Sequence, residues 1–260
     1  MKKFILIDSH AIIHRAYHAL PPLTTPAGEP IQAAYGFTTM LLRIIQELKP
    51  DYIAAAFDLP GPTFRHTAYE RYKAQRPKAP SDLTSQFARV REVVTAFGIP
   101  IFECAGYEAD DIIGTIAKKM EKQKGAETII VTGDKDAFQL IRPGLRVYTM
   151  KKGINDTVMY DENEVMARYG FAPKQLVDFK GLAGDPSDNI PGVKGVGEKT
   201  AIELVKAFGS IDGVYAALKK GDKKISAALA ARLRDGEEDA KFSRELARIR
   251  QDAPLDFRLV

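Results

Sequence analysis

Residues 106–111 of the chain read GYEADD, which sets Glu108, Asp110 and Asp111 within four positions. Ionised carboxylates this close repel one another, and the crowding is costly unless something offsets it. TGDKDAFQL adds Asp134 and Asp136, and GLAGDPSDNIPG adds Asp185 and Asp188. Asp8 and Asp58 each close a short apolar run, KFILID and DYIAAAFD. These nine carboxylates can converge on one place only if cations neutralise them. All-oxygen ligands suit hard ions, Mg²⁺ or Mn²⁺ above all. A second reading of GYEADD is local: acidic residues in the first turn of a helix favour the positive end of its dipole, by about 0.3–1 kcal/mol each.

The elements that would position these groups form a repeating pattern. KFILID, DYIAAAFD and ETIIVTGD are short apolar runs of the kind buried on both faces of a sheet, and each ends in aspartate. Helical patterns over 10–20, 31–48 and 107–123 lie between them, with further strands expected near 99–103 and 146–150. Alternating strands and helices predict an α/β fold with a mainly parallel central sheet flanked by helices. Ligands of such sheets bind at the carboxyl ends of the strands, where these aspartates fall.

Composition narrows the class. The 260 residues are 45% hydrophobic and suffice for a full core, and the single cysteine, Cys104, excludes an intrachain disulfide framework. Cys104 is expected to be a small buried hydrophobe. The apolar run Phe4–Ile7 is too short for a signal peptide, and no stretch is long enough to span a membrane. A cytoplasmic location follows as the expectation. Between Pro60 and Pro80 stand Arg65, Arg71, Lys73, Arg76 and Lys78 against one acid, Glu70, an excess equal to the net charge of +4 of the whole chain. Such a patch points to a polyanionic partner.

Read as a helix, the basic segment TFRHTAYERYKAQRPKAP sets Arg65, Tyr69, Tyr72 and Arg76 on one face, with Lys73 beside them. Basic and aromatic groups together can hold phosphates and stack bases. A solvated helix with its tyrosines packed on the core is the other reading. His10, His14 and His18 also share a helix face, which favours packing or phosphate contact over a metal site. In NIPGVKGVGEKTAIELVKAFGS a glycine turn leads into an amphipathic helix from about Glu198 to Phe208. Gly192, Gly195 and Gly197 let backbone N–H groups and the helix N-terminus approach a phosphate, with Lys194, Lys199 and Thr200 alongside. This is the pattern of a helix–hairpin–helix, which grips a backbone without reading its sequence.

Taken together, LIDSHAIIHRAYHAL, AAYGF, AFDLPGPTFRHTAYERYKAQR, GYEADDIIGTIA, TGDKDAFQL and GLAGDPSDNIPGVKGVGEKTA resemble the 5′-nucleases. That family comprises the 5′→3′ exonuclease domain of bacterial DNA polymerase I and the flap endonucleases, and the polymerase I branch is the nearer in wording. The resemblance runs almost end to end. It implies a PIN-like or resolvase-like nuclease core over 1–170, with a basic helical arch near 62–90. A helical subdomain over 171–260 would carry the helix–hairpin–helix. It assigns Asp8, Asp58, Glu108, Asp110 and Asp134 to an inner metal cluster, and Asp111, Asp136, Asp185 and Asp188 to the remaining ligands, direct or through water. Lys73 and Arg76 resemble the family's basic pair at the scissile phosphate. The implied activity is two-metal hydrolysis of DNA at 5′ ends, nicks and flaps by a monomer. A polymerase domain in the same or a separate chain is the implied partner, and a potassium ion at the hairpin a further implied ligand. His14 stands where the family often has a base-stacking tyrosine. Two rivals fit less well. An aspartate-based phosphatase would need a second aspartate two residues after Asp8, and a non-catalytic DNA-binding module would have no need of nine carboxylates.

Overall fold

The computed structural model describes residues 1–153 and 156–259. Its centre is a six-stranded sheet of β1 (Lys2–Asp8), β2 (Tyr52–Ala56), β3 (Ile101–Phe102), β4 (Ala126–Val131), β5 (Leu145–Lys152) and β6 (Asp156–Tyr160). The spatial order is β3-β2-β1-β4-β5-β6. All pairings are parallel except β5 with β6, an edge hairpin.

Successive side chains of a strand point to opposite faces, and both faces here are covered. Phe4, Leu6, Ala54, Ala56 and Ile130 enter one hydrophobic cluster. Ile5, Ile7, Ala55, Phe57, Ile129 and Val131 enter the other. Burial on both sides explains why these strands read as continuous apolar runs. The second cluster is closed by α1 (Ser9–Ala19), α2 (Gln32–Leu48) and α4 (Ser81–Ala96), through Ile13, Phe37, Ile44 and Val90 among others. The first is closed by α5 (Ala109–Met120). It continues without a break into a helical unit through Leu182, Val205, Val214 and Leu233. That unit holds α6 (Glu162–Tyr169), α7 (Leu176–Ala183), α8 (Glu198–Phe208), α9 (Ile211–Lys220), α10 (Ala227–Asp235) and α11 (Glu237–Ala247). After α11 the chain returns across α5. Gly114 permits the crossing, since a Cβ there would lie 2.6 Å from the Arg250 carbonyl oxygen. Beyond it, Phe257 packs on Phe4 and Phe102. Among the described residues no helix is long and apolar enough to cross a membrane.

The chain runs outward from β1 through β2 to β3, then crosses back to place β4 on the other side of β1. The reversal opens a crevice between the carboxyl ends of β1 and β4, the place where α/β sheets of this kind bind ligands. Asp8 and Asp134 stand at its two sides.

Most expected elements are present, with ends displaced by a few residues. The edge strand β6 was not among them, because the five residues DTVMY carry too little periodicity to distinguish. The helix through the basic segment is not formed as expected. Only α3 (Phe64–Ala68) is helical there. Tyr69 is already extended, and Lys73 adopts a positive φ of 55°. The backbone bonds outward instead, with the Lys73 N–H donating to the Asp188 carbonyl (3.0 Å). Pro77 and Pro80 then exclude helix up to the start of α4. Cys104 is half-buried against the core, not fully enclosed.

Candidate active site

Asp8 ends β1 and caps α1, and one Oδ accepts from the Ala11 N–H (3.1 Å). Its other oxygen accepts from the Thr132 hydroxyl (2.5 Å), just beyond β4. Thr132 Oγ1 also accepts from the Asp134 N–H (2.9 Å), and Asp134 accepts from the Asp136 N–H (2.8 Å). One buried hydroxyl thus ties the carboxyl ends of β1 and β4 together. From β2, Asp58 accepts from the Ala109 N–H at the start of α5 (2.6 Å). The Asp58 N–H donates to His10 Nδ1 (3.1 Å), which leaves the ring proton of neutral His10 on Nε2.

These placements line a cleft of about 710 Å³ with Asp8, Asp58, Glu108, Asp110, Asp134, Asp136 and Asp188. Burial, then the charges of Asp58 and Asp134, push the Asp8 carboxyl up to about 7 against its hydrogen bonds. Burial and the charges of Asp8, Asp134 and Asp136 raise Asp110 well above the usual carboxylate range. Burial and Asp134 push Asp136 up to about 7.

Cations from other segments meet this charge. Lys73 Nζ contacts Glu108 (2.7 Å), and Arg76 pairs with Asp188. Lys180, on α7, reaches both Asp136 and Asp185 (2.7 Å to the latter). Burial alone would raise Asp185, but Lys180 and the Ser187 donors outweigh it and hold the group below its ordinary value. The donor set suits a hard divalent ion. Ligand oxygens of Asp136, Asp185 and Asp188 lie within 4.8 Å of one another, and the raised Asp8 and Asp110 are carboxyls that a bound cation would return to the ionised form.

Several sequence expectations are corrected by this geometry. Asp111 does not face the cleft. It is fully buried, grips Arg65 through two bonds (2.7 and 2.9 Å), and accepts from the Glu108 and Arg250 N–H groups. The local, capping reading of GYEADD therefore holds for Asp111, and the cleft claims Glu108 and Asp110. Arg65, buried at 3% exposure, is spent on Asp111, Glu108 and the carbonyls of Leu246 and Arg248, so it is not free to meet DNA. Tyr72 is equally buried, and its hydroxyl donates toward Glu108 (3.0 Å) and Asp188 (3.2 Å), so its ring is not presented for stacking. Gly192 is buried too. Its N–H donates to Ser243, and a Cβ would strike the Gly184 backbone nitrogen at 2.2 Å. Its glycine serves a backbone crossing and not a phosphate.

The other candidate residues lie at the start of α8 and on the cleft wall. Gly195, Gly197, Lys194 and Lys199 are exposed around the N-terminus of α8, and Thr200 is half-buried beside them. Gly197 caps that helix without any side-chain bond, leaving the first turn open. His10, His14 and His18 line the cleft wall, with His10 packed on Phe87 (4.7 Å). Burial, then His10 and His18, hold the His14 imidazole below its ordinary value. Thr132 and Lys180 were missed. Thr132 lay inside ETIIVTGD, where a hydroxyl two residues before an aspartate was the available signal. Lys180 had no signal beyond lying five residues before Asp185.

The cleft thus lies at the switch point of the parallel sheet, acidic within and rimmed by basic side chains. The chain belongs to the 5'-3' exonuclease family. Residues 3–170 match its N-terminal resolvase-like domain, and residues 171–260 its C-terminal SAM fold. The chain is 45% identical over 260 residues to DNA polymerase I of Bacillus caldotenax, covering 99% of this chain but 29% of that protein. Among solved structures, T5 5'-exonuclease with bound zinc superposes with a TM-score of 0.75 at 18% identity, over 95% of this chain and 89% of that one. The catalytic core of Rad2 in complex with DNA gives 0.60 at 19% identity, over 96% and 80%. At those identities the two structures speak for the fold.

Two outcomes follow from the site. Asp111→Ala strands a buried guanidinium and should cost about 3–5 kcal/mol in urea unfolding while leaving divalent-ion binding intact. Loss of ion binding without loss of stability would return Asp111 to the metal set. Asp8 has a raised folded pKa, so ionising it disfavours the folded state. The cost is absent below about pH 4, grows toward pH 7 and then levels. In EDTA, Asp8→Asn should therefore be nearly neutral at pH 4 and stabilise by a few kcal/mol, on the order of the pKa shift, at pH 8. An equal effect at both pH values would contradict the assignment.

Proposed function

We propose that the chain hydrolyses DNA phosphodiester bonds at 5′ ends, nicks and 5′ flaps, leaving 5′-phosphate and 3′-hydroxyl products. The observation that carries this reading is the convergence of seven carboxylates on one cleft whose rim holds Lys73 and Arg76. Asp8, Asp58, Glu108, Asp110 and Asp134 would hold one divalent ion, and Asp136, Asp185 and Asp188 another, with Mg²⁺ as the natural occupant and Mn²⁺ as a substitute. When bound, such ions supply an activated water and charge stabilisation at the departing oxygen.

The chain's own residues do the rest. Lys73 and Arg76 hold Glu108 and Asp188 and stand at the cleft, where a scissile phosphate would compete for them and draw charge stabilisation from them. Asp8, through Thr132, fixes the spacing of the β1 and β4 edges. His14 faces the cleft as a neutral ring able to stack on a base. The open first turn of α8, with Lys194 and Lys199, would hold a duplex phosphate, and the α7–α8 loop a potassium ion. Residues 1–170 would thus cut and residues 171–260 grip. Because the chain spans under a third of its polymerase I relatives, a polymerase domain in the same or a separate chain is the proposed source of flaps. The working unit is proposed to be a cytoplasmic monomer.

A 5′-labelled flap duplex with Mg²⁺, Mn²⁺ or EDTA tests the proposal. Cutting at the flap junction should need a divalent ion, and Asp58→Ala or Asp134→Ala should lose at least about a hundredfold in rate with DNA binding retained. Tight binding with no cutting in any metal would favour the non-catalytic module.

A further inference from the structure

The last turn of α11 and the residues after it, 246–253, form a strap across α5. The end carbonyls of a helix need partners, and here side chains supply them. Arg65 donates to the Leu246 and Arg248 carbonyls (2.8 Å each). Gln139 donates to the Ala247 carbonyl (3.1 Å) and accepts from the Ile249 N–H (2.9 Å). Its amide thus spans the extended Arg248 as a neighbouring strand would. Further on, the Arg250 N–H donates to Asp111 (2.8 Å) and the Ala253 N–H to the Thr115 hydroxyl (3.0 Å). Leu246, Ala247 and Ile249 line the cleft as an apolar wall. Gln139 does not line it, but belongs to the 3₁₀ helix Asp136–Leu140 and stands one turn from Asp136 on the same face. Arg65 also donates to the Glu108 carboxylate (3.0 Å), and the Glu108 N–H donates to Asp111 (3.1 Å). One strap therefore joins the segment that carries Asp136 to the segment that carries Glu108 and Asp110. Those segments bear like charge, and Asp136 is among the charges that act on Asp110. Repulsion would part them.

We infer that residues 246–253, anchored by Gln139, are a positioning element of the cleft: they set the distance from Glu108 and Asp110, at the start of α5, to Asp136, after β4. Hydrolysis with two ions needs them about 3.5–4 Å apart, so the spacing of the carboxylate segments decides whether both ions can act on one phosphate. A misplacement of about 1 Å costs on the order of a hundredfold in rate. Gln139 is a positioning residue and not a catalytic one, because it acts only through the strap and through its own short helix. This inference rests on the metal-dependent nuclease reading.

The test is Gln139→Met in the full chain, close to glutamine in shape but unable to bond either strap group. Three readings are made: hydrogen exchange in EDTA, flap cleavage, and the electron paramagnetic resonance of bound Mn²⁺. Without metal, the Arg250 N–H should exchange about tenfold or more faster, although its own partner, Asp111, is untouched. With metal, kcat should fall by about tenfold or more while KM for the flap stays within about twofold. The magnetic coupling between the two Mn²⁺ ions falls with the cube of their separation, and it should shift from the wild-type value. Gln139→Glu keeps the acceptor for the Ile249 N–H. It should show the same changes in smaller measure, and it carries the test if Gln139→Met does not fold. A folded variant with wild-type kcat, or with unmoved Mn²⁺ coupling, would overturn the role of the strap alone, as would a loss of stability with nothing else changed. No Mn²⁺ uptake and no cutting by the wild type would overturn the nuclease reading with it.

Discussion

Like-charge repulsion at the carboxyl edge of the sheet is the constraint around which the molecule is arranged. Carboxylates from the ends of β1 and β2, from the segment after β4, from the start of α5 and from the 185–188 loop crowd one cleft. Without compensation such a set either protonates or spreads apart. Asp8, Asp110 and Asp136 show the first response: burial foremost, with neighbouring carboxylates behind it, holds them above the ordinary carboxylate range. Basic side chains borrowed from distant parts of the chain prevent the second.

The borrowed cations also connect the fold. Lys73 and Arg76 draw the segment after α3 down onto Glu108 and Asp188, and so decide that this stretch is a series of turns and not a continuous helix. Lys180 links the helical unit to Asp136. Arg65 joins α3 to the start of α5 and to carbonyls at the end of α11. The residues that balance the charge of the site are thus the ones that assemble it. A ligand bearing phosphate or a divalent ion would compete for the same groups, which makes binding and rearrangement of the cleft a single event.

Much of this could be read from the chain. Runs such as KFILID and ETIIVTGD are apolar at every position because both sheet faces are covered, and their terminal aspartates fall at the ligand edge by the topology of parallel sheets. The start and end of α8 follow from Gly197 and Gly209 on either side of an amphipathic run. What sequence spacing could not separate was the direction of neighbouring side chains. Asp110 and Asp111 are adjacent, so helical geometry turns them about 100° apart, one to the cleft and one to Arg65. Arg65 and Tyr72 looked like a nucleic-acid face because helical periodicity was assumed to run through a segment whose long-range bonds break it. Gly192 matched a phosphate-binding pattern, yet its glycine answers to the close passage of residues 183–184. Thr132 and Lys180 owe their roles largely to partners distant in sequence, Asp8 for the hydroxyl and Asp136 for the ammonium.

The most direct measurement is diffraction from crystals soaked in Mn²⁺, with anomalous peaks locating the ions. The account predicts peaks on both sides of the cleft, one among the Asp8, Asp58, Glu108, Asp110 and Asp134 oxygens and one among those of Asp136, Asp185 and Asp188. Saturating Mn²⁺ with no peak in the cleft would contradict it.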